Sequence, residues 1–406
     1  MGDRKKDFGQ HLLEYYLPFY YLLSLYSNLF VIGLGNALLL LLVIPKIRNG
    51  KISICRAVKG YLPFILWISF RDAIKAVAIG SITPIINMME YIILFTAVFL
   101  IIADSFDEDR MYSAWKIAGI IYSLGLAYHL IQILILGNPV HPISILPKVQ
   151  LGGVNNFSYR PCSFFSEPAS FASAMLPLVF LALRKKDYYV AILASIMIIA
   201  STSTVGIALV SVLWLYTITV SGIKIRTKVL ISLLLIGMLI YLPSSPLFNA
   251  SFEKLSSILS GEGTFGTRIA VGFNIISKLN ITQWIIGTNF IDVANYVSKH
   301  ISEYSWNRTI MAYYYAGKLF LNSFSSLIYN YGIIGLLLYL RTIIRRFRIT
   351  EYPAKALLLV HTISLFGQST MLNSLFFQTI ILLSLYEKIG LEKDETNKAD
   401  KNRIEQ

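Results

Sequence analysis

Long apolar runs separated by short polar segments dominate the chain from residue 12 to residue 386. A helix needs roughly 20 apolar residues to span a bilayer, and sometimes as few as 17. By this measure the pattern predicts about twelve transmembrane helices. The runs are 12–44 and 61–103, with one hairpin each, 114–136, 169–183, 189–200, 205–220, 229–242 and 322–340, and 352–386, with a last hairpin that turns near 368–373.

The positions of lysine and arginine predict the orientation of these helices. Short basic loops face the cytoplasm. Basic residues cluster in four short polar segments, namely 46–59, 184–186, 224–228 and 341–348. With these segments inside, both termini are predicted to be cytoplasmic, and segments 137–166 and 243–321 are predicted to be external. Because unstructured loops as long as the second one are uncommon, we expect short helices within it.

The predicted fold class is therefore an all-α polytopic membrane protein with four regions. Residues 1–242 hold nine transmembrane helices and the external loop 137–166. Residues 243–321 form the large external loop, and residues 322–387 hold the last three transmembrane helices. Residues 388–406 form a charged cytoplasmic tail.

Composition supports a membrane protein and narrows its function. The chain is 55% hydrophobic and only 14% charged, with a mean hydropathy of +0.62, and a soluble protein of this length would need more charge on its surface. A net charge of +14 would suggest nucleic acid in a soluble protein. Here the basic residues follow the positive-inside pattern, so we expect no nucleic-acid partner. Cys55 and Cys162 are predicted on opposite sides of the membrane, and no Cys/His cluster has the spacing of a metal site.

Charged groups beside one apolar run are the first candidate site. Glu167 precedes the run 169–183, with Ser166 as the predicted N-cap and Pro168 in the first turn. Glu167 then lies at the positive end of the helix dipole, and Arg160 lies just upstream. Ionisable groups at a membrane are costly to desolvate and usually functional. The alternative is that Glu167 only complements the dipole and that Arg160 only pairs with it.

A second arginine is predicted on the same side. The glycine-rich stretch 261–268 is expected to open a helix with Arg268 in its first turn, where a cation opposes the helix dipole. An anionic ligand would explain this position, and an arginine that reaches lipid headgroups is the alternative. Helix N-termini and arginine side chains are common phosphate ligands, so Arg160 and Arg268 suit a lipid-linked pyrophosphate. Glu167 would accept a proton from a hydroxyl group.

A third charged group lies near the outer turn predicted between residues 71 and 83. Arg71, Asp72 and Lys75 are expected either to pair with each other at the interface or to help line the site.

Three segments of the chain resemble one family. The segments are Arg160 to Ala172, with Phe165-Ser166-Glu167-Pro168-Ala169-Ser170; Gly266-Thr267-Arg268 followed by Trp284-Ile285-Ile286-Gly287-Thr288-Asn289; and Leu321-Asn322-Ser323-Phe324 followed by Tyr331-Gly332-Ile333-Ile334-Gly335-Leu336. In these three segments, in this order, the chain resembles the Wzy-type polysaccharide polymerases, which are relatives of the O-antigen ligases.

The resemblance implies a fold like that of the C class of glycosyltransferases, in a bacterial inner membrane. It implies transfer of a glycan from undecaprenyl pyrophosphate to the non-reducing end of another lipid-linked repeat on the outer face. No metal, nucleotide sugar or other cofactor is expected. Expected partners are the lipid-linked oligosaccharide, membrane lipids and a chain-length regulator protein.

Residue roles follow from the same resemblance. Arg160 and Arg268 would hold the leaving pyrophosphate, and Glu167 is the preferred base. The further candidate substrate-binding residues are Asn289, His300, Arg308, Lys318 and Asn322. If Glu167 is not the base, Asp292, His300 and Glu303 are the next candidates.

Other functions stay open at this point. Ligases of the family have a histidine before the asparagine of the third segment, and here that position is Leu321, which favours a polymerase. The alternatives are a ligase-like glycan transferase, a lipid-linked oligosaccharide flippase and a structural membrane protein. Flippases generally have short loops, so the long external loop argues against that class.

Overall fold

A computed structural model describes residues 8–26, 33–48, 60–102, 106–145, 159–220, 264–305, 307–317, 319, 321–351, 354–384 and 386. In these parts of the chain the structure is α-helical and contains no β-strand. The predicted all-α class is therefore confirmed. The predicted helix 229–242, Cys55 and the tail 388–406 lie outside the described residues.

Eight helices precede the predicted large loop in the described part of the chain. They are α1 (Phe8–Ser24), α2 (Leu34–Arg48), α3 (Leu62–Ile79), α4 (Thr83–Ile102), α5 (Glu108–Leu134), α6 (Pro168–Lys185), α7 (Tyr188–Ala200) and α8 (Thr204–Val220). Their bounds follow the apolar runs closely because each run ends at a polar or glycine-containing turn. Gly80, for example, ends α3 with a φ of 67°.

Short helices occur in the predicted external loop, as expected, and longer ones follow it. The remaining helices are α9 (Thr264–Ser277), α10 (Ile281–Ile286), α11 (Val293–Lys299), α12 (Ile301–Tyr304), α13 (Arg308–Tyr315), α14 (Ser323–Ile349), α15 (Lys355–Gly367) and α16 (Ser374–Ser384). The last two form the predicted hairpin, and their turn covers residues 368–373.

Three of the described helices are long and apolar enough to cross a membrane, namely α4, α5 and α14. Shorter apolar helices of 10–17 residues accompany them, and α7, α8, α15 and α16 belong to this group. The structure thus supports a helical membrane protein with three candidate spans. It does not support the predicted number of twelve, because most of the apolar helices are shorter than a bilayer-spanning helix requires.

Helix α6 lies at the centre of the bundle. Every residue from Pro168 to Leu183 is buried, and α6 packs against α5, α7 and α8. Small residues permit this close packing. A side chain at Gly206 of α8 would lie 2.4 Å from the Ala172 Cβ atom, and one at Gly119 of α5 would lie 2.3 Å from Leu178. The N-terminus of α6 is therefore held on several sides.

Helix α14 is interrupted at Gly332, where φ is 68° and ψ is −176°. This backbone conformation is accessible essentially only to glycine. Residues 285–288 cross α14 at the interruption, and we call this contact the backbone crossing. A Cβ atom at Gly332 would lie 2.1 Å from the Ile285 carbonyl oxygen, and one at Gly287 would lie 2.3 Å from the Asn330 carbonyl oxygen. Both glycines are required for the two chain segments to touch.

Ion pairs join several helix ends at one end of the bundle. The Arg184 Nε atom lies 2.6 Å from Glu108 Oε1, and Arg184 Nη2 lies 2.9 Å from Glu351 Oε2. Lys185 Nζ lies 2.7 Å from Asp109 Oδ1. We call these five residues the ionic cluster. They connect the start of α5 and the end of α6 to the segment after α14. The sequence predicts the basic segments 184–186 and 341–348 on the cytoplasmic side.

Candidate functional site

Glu167 lies at the mouth of a polar cleft. It is the N-cap of α6, in extended conformation (φ −153°, ψ 158°), and Pro168 is the first helical residue. The prediction that Ser166 is the N-cap was wrong by one position, because proline at the first helical position leaves the residue just before it as the cap. Glu167 is half-buried, and its side chain makes no capping hydrogen bond.

The polar cleft has a volume of about 260 Å³. Its lining is rich in hydroxyl and amide groups. The lining residues are Tyr21, Glu167, Ser170, Ser173, Gln368, Ser369, Thr370 and Asn373. It therefore lies between α1, the start of α6 and the turn that joins α15 to α16. The sequence predicted this turn but gave no sign that it faces Glu167.

Ser323 holds the turn in position. Its backbone N–H and its hydroxyl both donate to the Gln368 carbonyl oxygen, at 2.8 and 2.7 Å. The Ser323 Oγ atom also accepts the backbone N–H groups of Thr370 and Met371, at 2.7 and 3.1 Å. Across the cleft, Gln368 Nε2 donates to Ser173 Oγ at 3.0 Å. The first segment of the resemblance thus lines the cleft directly, and the third contributes indirectly, because Ser323 holds the turn that forms the opposite side.

The loop before α6 is buried and is hydrogen-bonded to α5. Cys162 N and Ser163 N both donate to His129 Nδ1, at 3.3 and 3.2 Å. Burial raises the pKa of the Cys162 thiol to about 12, while the positive charge of Arg160 lowers it and the negative charge of Glu167 raises it. Both candidate residues therefore act electrostatically on the same thiol. Cys162 is a free thiol.

Helix α9 carries Arg268 and approaches the start of α14. Arg268 is the fifth residue of α9, just beyond the predicted first turn, and its side chain lies outside the described residues. A side chain at Gly272, one turn later, would lie 2.3 Å from Ser325 Oγ. The Phe273 and Phe324 rings lie 5.8 Å apart. The α9 backbone thus runs beside the third segment.

Asn322 caps α14 inside the protein. Its Oδ1 atom accepts the Ser325 backbone N–H at 2.8 Å, and the residue is fully buried. Its Nδ2 atom and Ser325 Oγ are buried and have no hydrogen-bond partner within the described part of the chain. These contacts give Asn322 a capping role, and its predicted role in substrate binding stays a prediction.

The other predicted binding residues lie in the short helices. Asn289 Oδ1 accepts a hydrogen bond from Arg71 Nη2 at 3.1 Å. His300 ends α11, where its Nδ1 atom lies 2.9 Å from the Tyr296 carbonyl oxygen. Arg308 is the exposed first residue of α13. Lys318 lies outside the described residues.

Arg71, Asp72 and Lys75 are buried, with relative exposures of 2%, 6% and 5%. No ion pair is formed among these three described side chains. Arg71 Nη2 instead donates to the carbonyl oxygens of Gly287 and Thr288, at 3.2 and 3.3 Å. Direct contact pairing, the first of the two sequence-based alternatives, is therefore not observed. The backbone crossing offers acceptors to Arg71 Nη2, whereas Arg71 Nε is buried without a hydrogen-bond partner among the described residues.

Lys75 and Asp72 contact the second chain segment of the backbone crossing, which belongs to α14. Lys75 Nζ donates to Asn330 Oδ1 at 3.0 Å, and the Tyr331 hydroxyl donates to Asp72 Oδ2 at 3.5 Å. Trp67 Nε1 donates to the Tyr331 carbonyl oxygen at 2.8 Å. The sequence contained one sign of this contact, because three charged residues at positions i, i+1 and i+4 of an apolar helix indicate that they have a specific partner.

The three segments of the resemblance are connected in space. The second segment crosses the third near Gly332, and the Thr288 N–H donates to the Tyr329 carbonyl oxygen at 2.7 Å. The third segment holds the turn that faces the first segment across the cleft. No model of a known protein family and no curated protein sequence matches this chain.

Proposed function

We propose that the protein is a polysaccharide repeat-unit polymerase of a bacterial inner membrane. It transfers a growing glycan from undecaprenyl pyrophosphate to the non-reducing end of another lipid-linked repeat. We further propose that the chain has twelve membrane spans, that both termini are cytoplasmic and that the cleft opens on the external face.

The observation that carries the proposal is the position of the Glu167 carboxylate in the polar cleft. A carboxylate among hydroxyl and amide groups suits deprotonation of a sugar hydroxyl. The second and third segments of the resemblance also contact each other at the backbone crossing. The third holds the turn 368–373, which lines the cleft together with Glu167 and Ser170 of the first. This arrangement of distant segments supports a shared site.

The reaction balances with this chain's residues and two substrates. The acceptor hydroxyl oxygen forms a bond to the anomeric carbon of the donor glycan, and its proton passes to the Glu167 carboxylate. The bond between that carbon and the pyrophosphate oxygen breaks, and the pyrophosphate leaves with the electron pair. Arg160 and Arg268 would stabilise the charge that develops on the leaving group, because arginine binds two phosphate oxygens at once.

Deletion of the coding sequence in the native host tests the proposal. We expect the surface glycan to change from a ladder to a single repeat, with recovery when the full chain is restored. Loss of all capped lipid would favour a ligase. Accumulation of lipid-linked repeats on the cytoplasmic face would favour a flippase, and an unchanged ladder would contradict all three functions.

Cysteine labelling from outside the cell tests the topology separately. On a Cys55→Ser background, Gly263→Cys should react with a membrane-impermeant maleimide, and Lys186→Cys should not. The reverse pattern would remove the proposed external site.

A further inference from the structure

The walls of the polar cleft suit an uncharged sugar. Among the described residues, the lining carries five hydroxyl groups, two carboxamides and one carboxylate, and no positive charge. Hydroxyls and amides both donate and accept hydrogen bonds, which matches the hydroxyl groups of a carbohydrate. A pyrophosphate would instead bring negative charge towards Glu167 without a cation in this lining to offset the repulsion.

The size of the cleft limits how much of a glycan can enter. Its volume of about 260 Å³ lies just below the ~300–1,000 Å³ range of small-molecule sites. Such a space suits a terminal sugar ring better than a complete repeat unit. The rest of the oligosaccharide would extend out of the mouth.

The turn 368–373 forms a rigid wall of the cleft. Gln368 and Thr370 are each 6% exposed, and four hydrogen bonds to Ser323 hold the backbone of residues 368, 370 and 371. Asn373 Nδ2 donates to the Ser369 carbonyl oxygen at 3.3 Å. Polar groups that are fixed before binding discriminate well between ligands, since little freedom is lost on association. The exposed Ser369 side chain lies at the open edge of this wall.

We infer that the polar cleft binds the uncharged terminal sugar of the acceptor, and that the turn 368–373 determines which sugar is accepted. This inference rests on the proposed polymerase function. The pyrophosphate of the donor binds outside the cleft lining but next to it, so that its anomeric carbon meets the acceptor hydroxyl held at Glu167.

Two substitutions of similar size at Ser369 test the inference. Ser369→Leu fills the cleft, and Ser369→Lys fills it and adds a positive charge. The full chain is reconstituted in vesicles with labelled lipid-linked repeat as donor. The acceptor is the lipid-free repeat oligosaccharide, released by mild acid from the lipid-linked pool of the host. Both variants should raise the acceptor KM at least tenfold and leave the donor KM within twofold of the wild-type value.

Two outcomes would overturn the inference. One is an acceptor KM within twofold of the wild-type value in both variants. The other is a lower donor KM in the lysine variant alone, which would indicate a pyrophosphate in the cleft. Ser302→Leu, an exposed serine outside the cleft lining, is the matched control and should change neither KM.

Binding separates failure of the inference from failure of the proposed function. Saturation-transfer NMR of the lipid-free oligosaccharide with the detergent-solubilised wild type should show contact, and Ser369→Leu should abolish it. Binding without any transfer would contradict the polymerase function and retain the sugar site. Transfer without loss of binding in Ser369→Leu would retain the function and reject the site.

Discussion

The ionic cluster and the polar cleft each join helices that are distant in sequence, but they do so with different chemical groups. In the ionic cluster, Arg184 contacts two carboxylates and Lys185 contacts Asp109, so long flexible side chains make the connections. Around the cleft, short hydroxyls, an amide and backbone groups make them, and at the backbone crossing the contact is backbone against backbone. Long side chains can adjust to a substitution, whereas close backbone contacts cannot. The region around the cleft should therefore be the less tolerant of the two.

The largest effect is expected from Gly332→Ala. Its Cβ atom would lie 2.1 Å from the Ile285 carbonyl oxygen, at a backbone conformation that only glycine adopts readily. We expect almost no monodisperse protein in detergent. Gly80→Ala is the control for a positive φ alone, because Gly80 (φ 67°, ψ 30°) is left-handed helical and no described atom lies within 4 Å of the added Cβ. It should cost about 1 kcal/mol. Equal yields of the two variants would show that the crossing is dispensable.

The second prediction compares the same substitution in the two regions. Glu167→Gln keeps size and hydrogen bonding but removes the proton acceptor, so polymer formation should fall at least a hundredfold with an unchanged melting temperature. Glu108→Gln weakens the 2.6 Å contact with Arg184 in a side chain that is 27% exposed. It should leave polymer formation intact and lower stability by about 1 kcal/mol. Near-normal glycan ladders from Glu167→Gln would reject the catalytic role, and Asp292, His300 and Glu303 would be the next candidates.

Arginine-to-lysine substitutions give a third, smaller difference. Arg71 Nη2 donates to three oxygens of residues 287–289, and a lysine lacks the planar geometry to replace that guanidinium. Arg71→Lys should destabilise the protein by about 2 kcal/mol and increase proteolysis near residue 287. Arg184→Lys should cost less than about 1 kcal/mol, because carboxylates also accept a point charge. Thermal unfolding in detergent and limited proteolysis measure both. Similar losses of stability in Arg71→Lys and Arg184→Lys would contradict the expectation that the ionic cluster tolerates substitution better.

The smallest effect concerns the thiol beside the cleft. Burial raises the pKa of Cys162 to about 12, so little thiolate forms between pH 7 and pH 9. In a Cys55→Ser background we expect no maleimide labelling of the native protein over that range and complete labelling after denaturation. Labelling that rises sharply near pH 8 in the native state would show that the loop before α6 opens to solvent.

The sequence predicted the helices better than it predicted the site. The apolar runs 189–200 and 205–220 correspond to helices that begin one residue earlier, because hydrophobic length is a local property. The predicted N-cap of α6 was wrong by one residue, although proline is common at the first helical position and Pro168 therefore pointed to Glu167 as the cap. The described residues support three candidate spans rather than the predicted twelve, since a hairpin of short apolar helices has the same composition as a hairpin of spanning ones.

The parts of the site that sequence reasoning missed depend on long-range contacts. Gln368 and Thr370 are ordinary turn residues until Ser323, 45 and 47 residues away, binds them. Arg71 finds its acceptors 216–218 residues further along the chain. A single sequence shows that a buried charge needs a partner but not which carbonyl oxygen will be that partner.

The backbone crossing has a consequence for exchanging parts of the chain with those of other proteins. Because Gly287 and Gly332 each meet a carbonyl oxygen of the other segment, residues 281–292 and 323–335 form one inherited unit. In a chimera that replaces only one of them, a glycine of one parent would face a backbone segment of the other parent that does not fit it. Functional hybrids should therefore have both segments from the same parent, even where the helices between and around them come from another.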